Sequence, residues 1–265
     1  MTRAAPVEGR GQPRADQLLV ERGLAESRTA AQRMIAAGRV GWWDLGVVKP
    51  VRKASDGIPA SAELLVTPDD TDRFVSRGGL KLAGALQETG LDVQGWHCLD
   101  VGQSTGGFTD CLLQAGAASV LGVEVGHGQL HPRLVSEPRC KTIEGLNARE
   151  LSRDQLGSGA PVQGFDLIVC DASFISLTLL LPRWPALLAS DGRILALAKP
   201  QFELGPQALG KGGIVRDAAR YADVEARIRQ ACAEAELEVL AWCNSPITGG
   251  DGNHEFFVCA RKVQR

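Results

Sequence analysis

The amino-acid sequence predicts an α/β protein, with a doubly wound sheet of seven strands following a small α+β module. Three observations carry this expectation. From residue 79 onward, apolar strand-like runs alternate with helix-like segments, the pattern of strands joined by crossover helices. The runs FDLIVCD (165–171) and RILALAK (193–199) are apolar almost throughout, as strands covered on both faces require. In CLDVGQSTGGFTDCL (98–112), an apolar run enters Gly102 and, four residues on, Gly106 and Gly107. A strand that stops, turns tightly and opens a helix brings bare backbone close to a ligand.

The elements follow in chain order. Residues 1–13, rich in Gly, Pro and charge, are expected as a disordered tail. ADQLLVERGL (15–24) reads as a short helix with Gly23 as its stop. ESRTAAQRMIAAGRV (26–40) reads as a second helix: Ser27 caps it, Ala30, Ala31, Met34 and Ile35 form its apolar stripe, and Gly38 ends it. Short β segments at 39–43, 46–49 and 62–66 complete a front module over 14–73. TPDDTDRFVSRGG (67–79) is polar, carries Pro and reads as a linker, and the large domain spans 74–265. There, helices are expected near 79–89, 106–115, 127–136, 148–155, 176–188 and 217–235. Strands are expected near 98–102, 119–125, 140–144, 165–171, 192–199, 237–245 and 255–261. No helix separates the last two strands, so they should form an antiparallel hairpin at one sheet edge.

Composition narrows the function classes. The 265 residues are 44% hydrophobic and 23% charged, the balance of a globular chain, and no run of 18 apolar residues suggests a membrane span. The charged N-terminus lacks the apolar core of a secretory signal. Seven Cys, none spaced C-x-x-C, argue against a disulfide framework or a zinc site and for reduced thiols in the cytoplasm. The net charge of −2 is unevenly spread: residues 10–53 hold nine Lys/Arg against four Asp/Glu, a local +5 that leaves −7 elsewhere. A basic front module on an acidic body suggests a nucleic-acid handle.

The glycine corner constrains its ligand. G-x-x-x-G-G matches neither a phosphate-binding loop, which needs a Lys after the glycines, nor the dinucleotide G-x-G-x-x-G. The next strand ends in Glu124, 22 residues after Gly102, where an acid can hydrogen-bond ribose hydroxyls. The ligand is therefore read as a nucleoside without a pyrophosphate, and S-adenosylmethionine fits: the corner faces its amino-acid end and Glu124 its ribose.

VSRGGLKLAGAL, LDVGQSTGGFTD, VEVGHGQL, DASFISL, KPQFELG, GKGGIVRD and SPITGGDGNHEFF occur in that order. Together they resemble the TlyA family, also labelled hemolysin A, ribosomal RNA 2′-O-methyltransferases with an FtsJ-like catalytic domain. The likeness runs from Arg14 to the end, and the front module resembles the S-four type of RNA-binding domain. Gln103 stands where the family favours Ala or Ser, Glu124 where it favours Asp, and GWWDLG (41–46) where it has an Asn-Gly turn. His127 stands where an aromatic or small residue is common.

The resemblance implies a Rossmann-like, seven-stranded class I methyltransferase sheet acting on cytidine of 23S, and sometimes 16S, ribosomal RNA. It implies S-adenosylmethionine as cofactor, no metal, ribosomal subunits as partners and a monomer in the cytoplasm. By motif, the catalytic tetrad falls on Lys81, Asp171, Lys199 and Glu255. Cofactor contacts fall on Gly102, Ser104, Thr105, Gly106, Gly107, Phe108, Glu124, Asn147, Ala148 and Asp171. Asp171 and Lys199 end their strands, where open parallel sheets place ligands, and Glu255 opens an antiparallel strand at the same edge. Free Lys, with a pKa of about 10.4, is a poor base. Lys199 is therefore either a base made effective by desolvation and Lys81, or a fixed donor held charged by Asp171 and Glu255. Arg14, Arg28, Arg33 and Arg39 are candidates for backbone phosphates, as are Lys211 and Arg216 in a Gly-rich basic loop. Trp42 and Trp43 suit module packing better than base stacking. Three other readings compete: a ribosome-assembly protein without catalysis, a methyltransferase for another RNA, and a pore-forming hemolysin, for which no membrane segment speaks.

Overall fold

The computed structural model describes residues 12–25, 27–69 and 73–263. Of the expected tail over 1–13, all but Gln12 and Pro13 lie outside the described residues; the Pro13 carbonyl accepts the Ile58 N–H at 3.0 Å. The chain divides into two compact units, Met1–Asp70 and Thr71–Arg265.

In the first unit, α1 (Ala15–Glu21) and α2 (Arg28–Ala36) accompany an antiparallel sheet of order β2-β1-β3. Its strands are β1 (Val40–Asp44), β2 (Val47–Pro50) and β3 (Leu64–Val66). Ser27 caps α2, its hydroxyl accepting the Ala30 N–H at 3.2 Å. Leu18, Leu19, Ala31, Ile35, Val40 and Ile58 form a small core, and Trp42 packs against it. Within this unit Asp16 is wholly buried and takes hydrogen bonds from Arg14 (2.9 Å), Gln32 (3.1 Å) and Arg28 (3.1 Å). The Arg14 guanidinium, with Gln32 and Arg28, holds that carboxyl well below the usual range despite burial. The β1–β2 turn is Leu45-Gly46, with φ of 50° and 84°. A two-residue hairpin needs positive φ at both positions, and Leu45 adopts it where Asn, Asp or Gly is the usual residue.

In the second unit, α3 (Gly78–Thr89) leads into β4 (His97–Val101), α4 (Gly107–Gln114), β5 (Ser119–Glu124), α5 (Pro132–Val135), β6 (Cys140–Glu144), α6 (Arg153–Leu156), β7 (Phe165–Cys170), β8 (Leu188–Ala198), α7 (Pro200–Glu203), α8 (Tyr221–Glu234), β9 (Leu237–Asn244) and β10 (Phe256–Lys262). The seven-stranded sheet has the order β6-β5-β4-β7-β8-β10-β9, with β4 to β8 parallel and β10 antiparallel to both neighbours. The expected hairpin is present, with β10 on the inner side and β9 at the edge.

The all-apolar strands are buried on both faces, with alternate residues serving two cores. Leu99, Ile168 and Ala196 pack with Trp184 and α8, while Cys98, Leu167 and Leu195 pack with α3 and α4. Three expected helices are shorter than the sequence suggested. Residues 127–136 give a single turn that begins at Pro132, because Pro fits the first helical position and not the interior. Residues 148–155 split into a 3-10 turn at 148–150 and α6. Residues 177–186 form two 3-10 turns, since Pro182 and Pro185 each remove a backbone donor, and β8 begins earlier than expected, at Leu188.

Candidate active site

The strand order lays the predicted groups out along one sheet edge. Glu124 ends β5, Gly102 follows β4, Asp171 follows β7, Lys199 follows β8 and Glu255 precedes β10. Adjacent strands lie about 4.8 Å apart, so this row spans roughly 19 Å. A cavity of about 620 Å³ opens along it, lined by Gly102, Ser104, Thr105 and Phe108 at one end and by Gln201, Phe202 and Asp251 at the other. Lys81, Asp171, Lys199 and Glu255 all line it.

The predicted tetrad forms two ion pairs, the first buried and the second with Asp171 partly exposed. Lys81 Nζ lies 2.5 Å from Glu255 Oε2, and Lys199 Nζ lies 2.7 Å from Asp171 Oδ1. The second contact departs from hydrogen-bonding geometry, so it acts chiefly through charge. Lys199 also donates to Ser173 Oγ at 2.8 Å. Lys81, Lys199 and Glu255 are each less than 9% exposed. Burial pushes the Glu255 carboxyl above its ordinary range, against the pull of the Lys81 ammonium. Lys81 reaches this place because α3 crosses α4 closely. A Cβ on Gly107 would stand 2.2 Å from Ser76 Oγ and 3.0 Å from the Gly79 nitrogen.

The glycine corner is a backbone surface. Gly102 has φ 79°, and a Cβ there would meet the Ala172 backbone at 3.1 Å, so only Gly fits. Ser104 also takes positive φ, at 48°, and its N–H donates to Glu124 Oε2 at 2.9 Å. The other Glu124 oxygen accepts the Gly126 N–H at 2.9 Å. Glu124 thus holds two loops in place, with lone pairs remaining on both oxygens. It does not line the cavity, and neither do Gly106, Gly107, Asn147 or Ala148. The Asn147 side chain caps the 148–150 turn, and the Leu146 N–H donates to the Glu124 carbonyl at 3.0 Å, which puts that loop beside the end of β5.

Gln103, the residue out of pattern, is buried and fully used. It accepts from Thr142 (2.7 Å) and donates to Thr109 (2.9 Å), which donates to Asp100 Oδ2 (2.7 Å). Its amide fills the space that a side chain on Gly122 would take, a Cβ there coming within 2.0 Å of it.

Several lining residues escaped the sequence reading. Asp100 is 1% exposed, its Oδ1 has no partner, and burial raises its carboxyl to about 7. An acid inside an apolar strand was the available signal. Phe174 adopts φ 62° and stands 89% exposed at the cavity, its ring 5.3 Å from Phe202. Ser173, Gln201 and Asp251 gave no signal of their own.

Among the candidate RNA residues, Arg14 and Arg28 are half-exposed and directed to Asp16, Arg39 Nε donates to the Thr67 carbonyl at 3.0 Å, and Arg33 is exposed on α2. Lys211 and Arg216 are exposed on the second unit, where Gly212 and Gly213 reach the cavity.

The FtsJ-like methyltransferase family matches residues 74–262. The 16S/23S rRNA (cytidine-2′-O)-methyltransferase TlyA of Mycobacterium tuberculosis strain H37Rv is 40% identical over 94% of this chain and 89% of its own. Hemolysin A of Brachyspira hyodysenteriae is 35% identical over 92% of this chain and 97% of its own. A solved chain from Streptococcus thermophilus, provisionally named a hemolysin, superimposes with a TM-score of 0.72 at 35% identity, covering 97% of this chain and 90% of that one.

Proposed function

The chain belongs to the TlyA family of FtsJ-like methyltransferases, and we propose that it methylates the 2′-oxygen of a cytidine ribose in ribosomal RNA, with S-adenosylmethionine as methyl donor. The observation that carries this is the two ion pairs, Lys199–Asp171 and Lys81–Glu255, in one cavity with the glycine corner.

The residues present fit the cofactor. Gly102 and Ser104 leave backbone exposed where its amino-acid end would lie, and Asp100 Oδ1 is a buried acceptor in need of a donor such as the α-ammonium. Glu124 stands behind the cavity wall, bonded to the Ser104 N–H, and the lone pairs left on its carboxylate are our candidates for the ribose hydroxyls. The bound cofactor supplies an electrophilic methyl group on a sulfonium. The rest of the chemistry is positioning and removal of one proton from the ribose hydroxyl. Lys199 Nζ is held by the Asp171 carboxylate and carbonyl and by Ser173 Oγ, in a residue that lines the cavity. There an ammonium N–H donates to the 2′-oxygen and turns its lone pair toward the methyl group, and the hydroxyl proton passes to the Asp171 carboxylate, the member of the pair that has lone pairs to accept it. Lys81 and Glu255 neutralise each other and keep the site's charge balanced, so that neither carboxylate repels the RNA. Phe174, exposed and propped by Phe202, offers a stacking surface for an unstacked base.

The first unit, with its basic excess, serves as the RNA handle, and Lys211 and Arg216 supply phosphate contacts beside the cavity. The protein acts in the cytoplasm, on ribosomal subunits. Incubation of the protein and labelled S-adenosylmethionine with purified 50S and 30S subunits, followed by mapping of the modified nucleotide, tests this reading. A 2′-O-methylcytidine in 23S or 16S RNA is expected, and no labelled nucleotide in either would refute it.

A further inference from the structure

Gln201 lies two residues past Lys199, in α7, and is 9% exposed. Its Nε2 donates to Asp251 Oδ2 at 3.1 Å. Asp251 in turn accepts from the Asn253 N–H at 3.0 Å and from Asn253 Nδ2 at 2.9 Å. Burial works against the Asp251 charge, but these bonds and that from Gln201 outweigh it and hold the carboxyl below its ordinary value. A carboxylate only accepts, so the Gln201 amide has one orientation: NH₂ toward Asp251, oxygen away from it. That oxygen is buried, has no partner, and belongs to a residue lining the cavity. A buried amide oxygen without a donor is costly and asks for an explanation.

The place of Gln201 in the sheet sets its oxygen apart from the glycine corner. The glycine corner follows β4, while Gln201 follows β8, two strands further along the sheet and beyond the Lys199–Asp171 pair. Both groups that meet at this end, the Gln201 oxygen and the Asp251 carboxylate, are acceptors. They complement an exocyclic amine and oppose a keto oxygen. Phe174 and Phe202, in the same part of the wall, supply the flat apolar surface that a base needs.

We propose that Gln201, locked by Asp251, reads the exocyclic amine of the target base and makes the enzyme prefer cytidine to uridine. The proposal rests on the reading of the protein as an RNA 2′-O-methyltransferase. The test uses full-length protein and ribosomal subunits carrying either the mapped target cytidine or, from a C-to-U ribosomal RNA mutant, uridine at that position. Wild-type protein should favour the cytidine substrate. Gln201→Met keeps the size of the side chain and removes its polar atoms. It should lower kcat/KM on cytidine about 10- to 100-fold, the scale of one buried hydrogen bond, with little change on uridine. Its affinity for S-adenosylhomocysteine, read by titration calorimetry, should equal wild type. Asp251→Asn removes the carboxylate that fixes the amide, so Gln201 can turn its NH₂ to the base. This variant should transfer to uridine faster than wild type, a gain that damage to the fold would not produce. If Gln201→Met keeps wild-type preference for cytidine, or if it weakens S-adenosylhomocysteine binding as strongly as it slows transfer, the proposal is overturned and the oxygen belongs to the cofactor's site. Failure of wild-type protein to methylate either substrate would instead remove the enzymatic reading beneath it.

Discussion

Asp100→Asn should make the protein more stable and its cofactor binding weaker, and the first effect should depend on pH. Asp100 is 1% exposed, with Oδ2 bonded to Thr109 and Oδ1 unpartnered. Burial raises its carboxyl from about 3.8 to about 7. The folded pKa exceeds the unfolded one, so between these values the folded state holds more protons than the unfolded chain. Stability attributable to this residue is therefore full below about pH 4, falls as pH rises, and is lost above about pH 7. Three pKa units correspond to about 4 kcal/mol, an upper figure because local relaxation relieves a buried charge. Asn keeps the Thr109 bond and does not titrate. Urea denaturation should show Asp100→Asn more stable than wild type by about 2–4 kcal/mol at pH 8 and nearly equal to it at pH 4. Calorimetry with S-adenosylhomocysteine, which carries the same α-ammonium, should show wild-type affinity rising with pH through about 7 and the variant's flat and weaker. A stability difference of the same size at pH 4 and pH 8 would refute the buried-charge argument. Unchanged affinity would take the ammonium away from Asp100.

Glu124→Ala loses the acceptor for the Ser104 and Gly126 N–H groups, and should weaken S-adenosylhomocysteine binding by roughly 1–3 kcal/mol in the same titration. Gln103→Ala leaves Thr109 and Thr142 without their amide partner and opens space beside Gly122, so denaturation should register a loss of about 2–4 kcal/mol. Arg33→Ala should reduce the salt dependence of ribosomal RNA binding by about one unit of slope, read by anisotropy across a salt series. Arg28→Ala should in addition lower the thermal midpoint, because Arg28 also holds the buried Asp16.

The parts of the fold legible in the sequence were those set by local chemistry. Ser27 caps α2 as its position implied, and the apolar runs at 165–171 and 193–199 became central strands because nothing polar interrupts them. The meeting of Asp171 and Lys199 at one cavity was legible because strand ends fix where they must stand. What remained hidden depends on long-range packing. The helices expected over 127–136 and 176–188 gave way to Pro132, Pro182 and Pro185. The amide orientation of Gln201 is set by Asp251, fifty residues away, and the environment of Asp100 exists only once α4 brings Thr109 against β4. Gln103 looked like a departure from pattern. Only the tertiary fold brings Gly122, Thr109 and Thr142 around it.

The measurement that bears most directly on the account is methyl transfer by wild-type protein and Lys199→Ala to purified 50S and 30S subunits, run beside S-adenosylhomocysteine binding by both. Wild type should place one label on a cytidine 2′-oxygen. Lys199→Ala should bind S-adenosylhomocysteine like wild type and transfer at least about 100-fold more slowly, the scale of a positioned proton-transfer group. A variant that retains wild-type turnover, or a wild-type label on a base atom instead of the ribose oxygen, would contradict the assignment of the Lys199–Asp171 pair as the centre of the reaction.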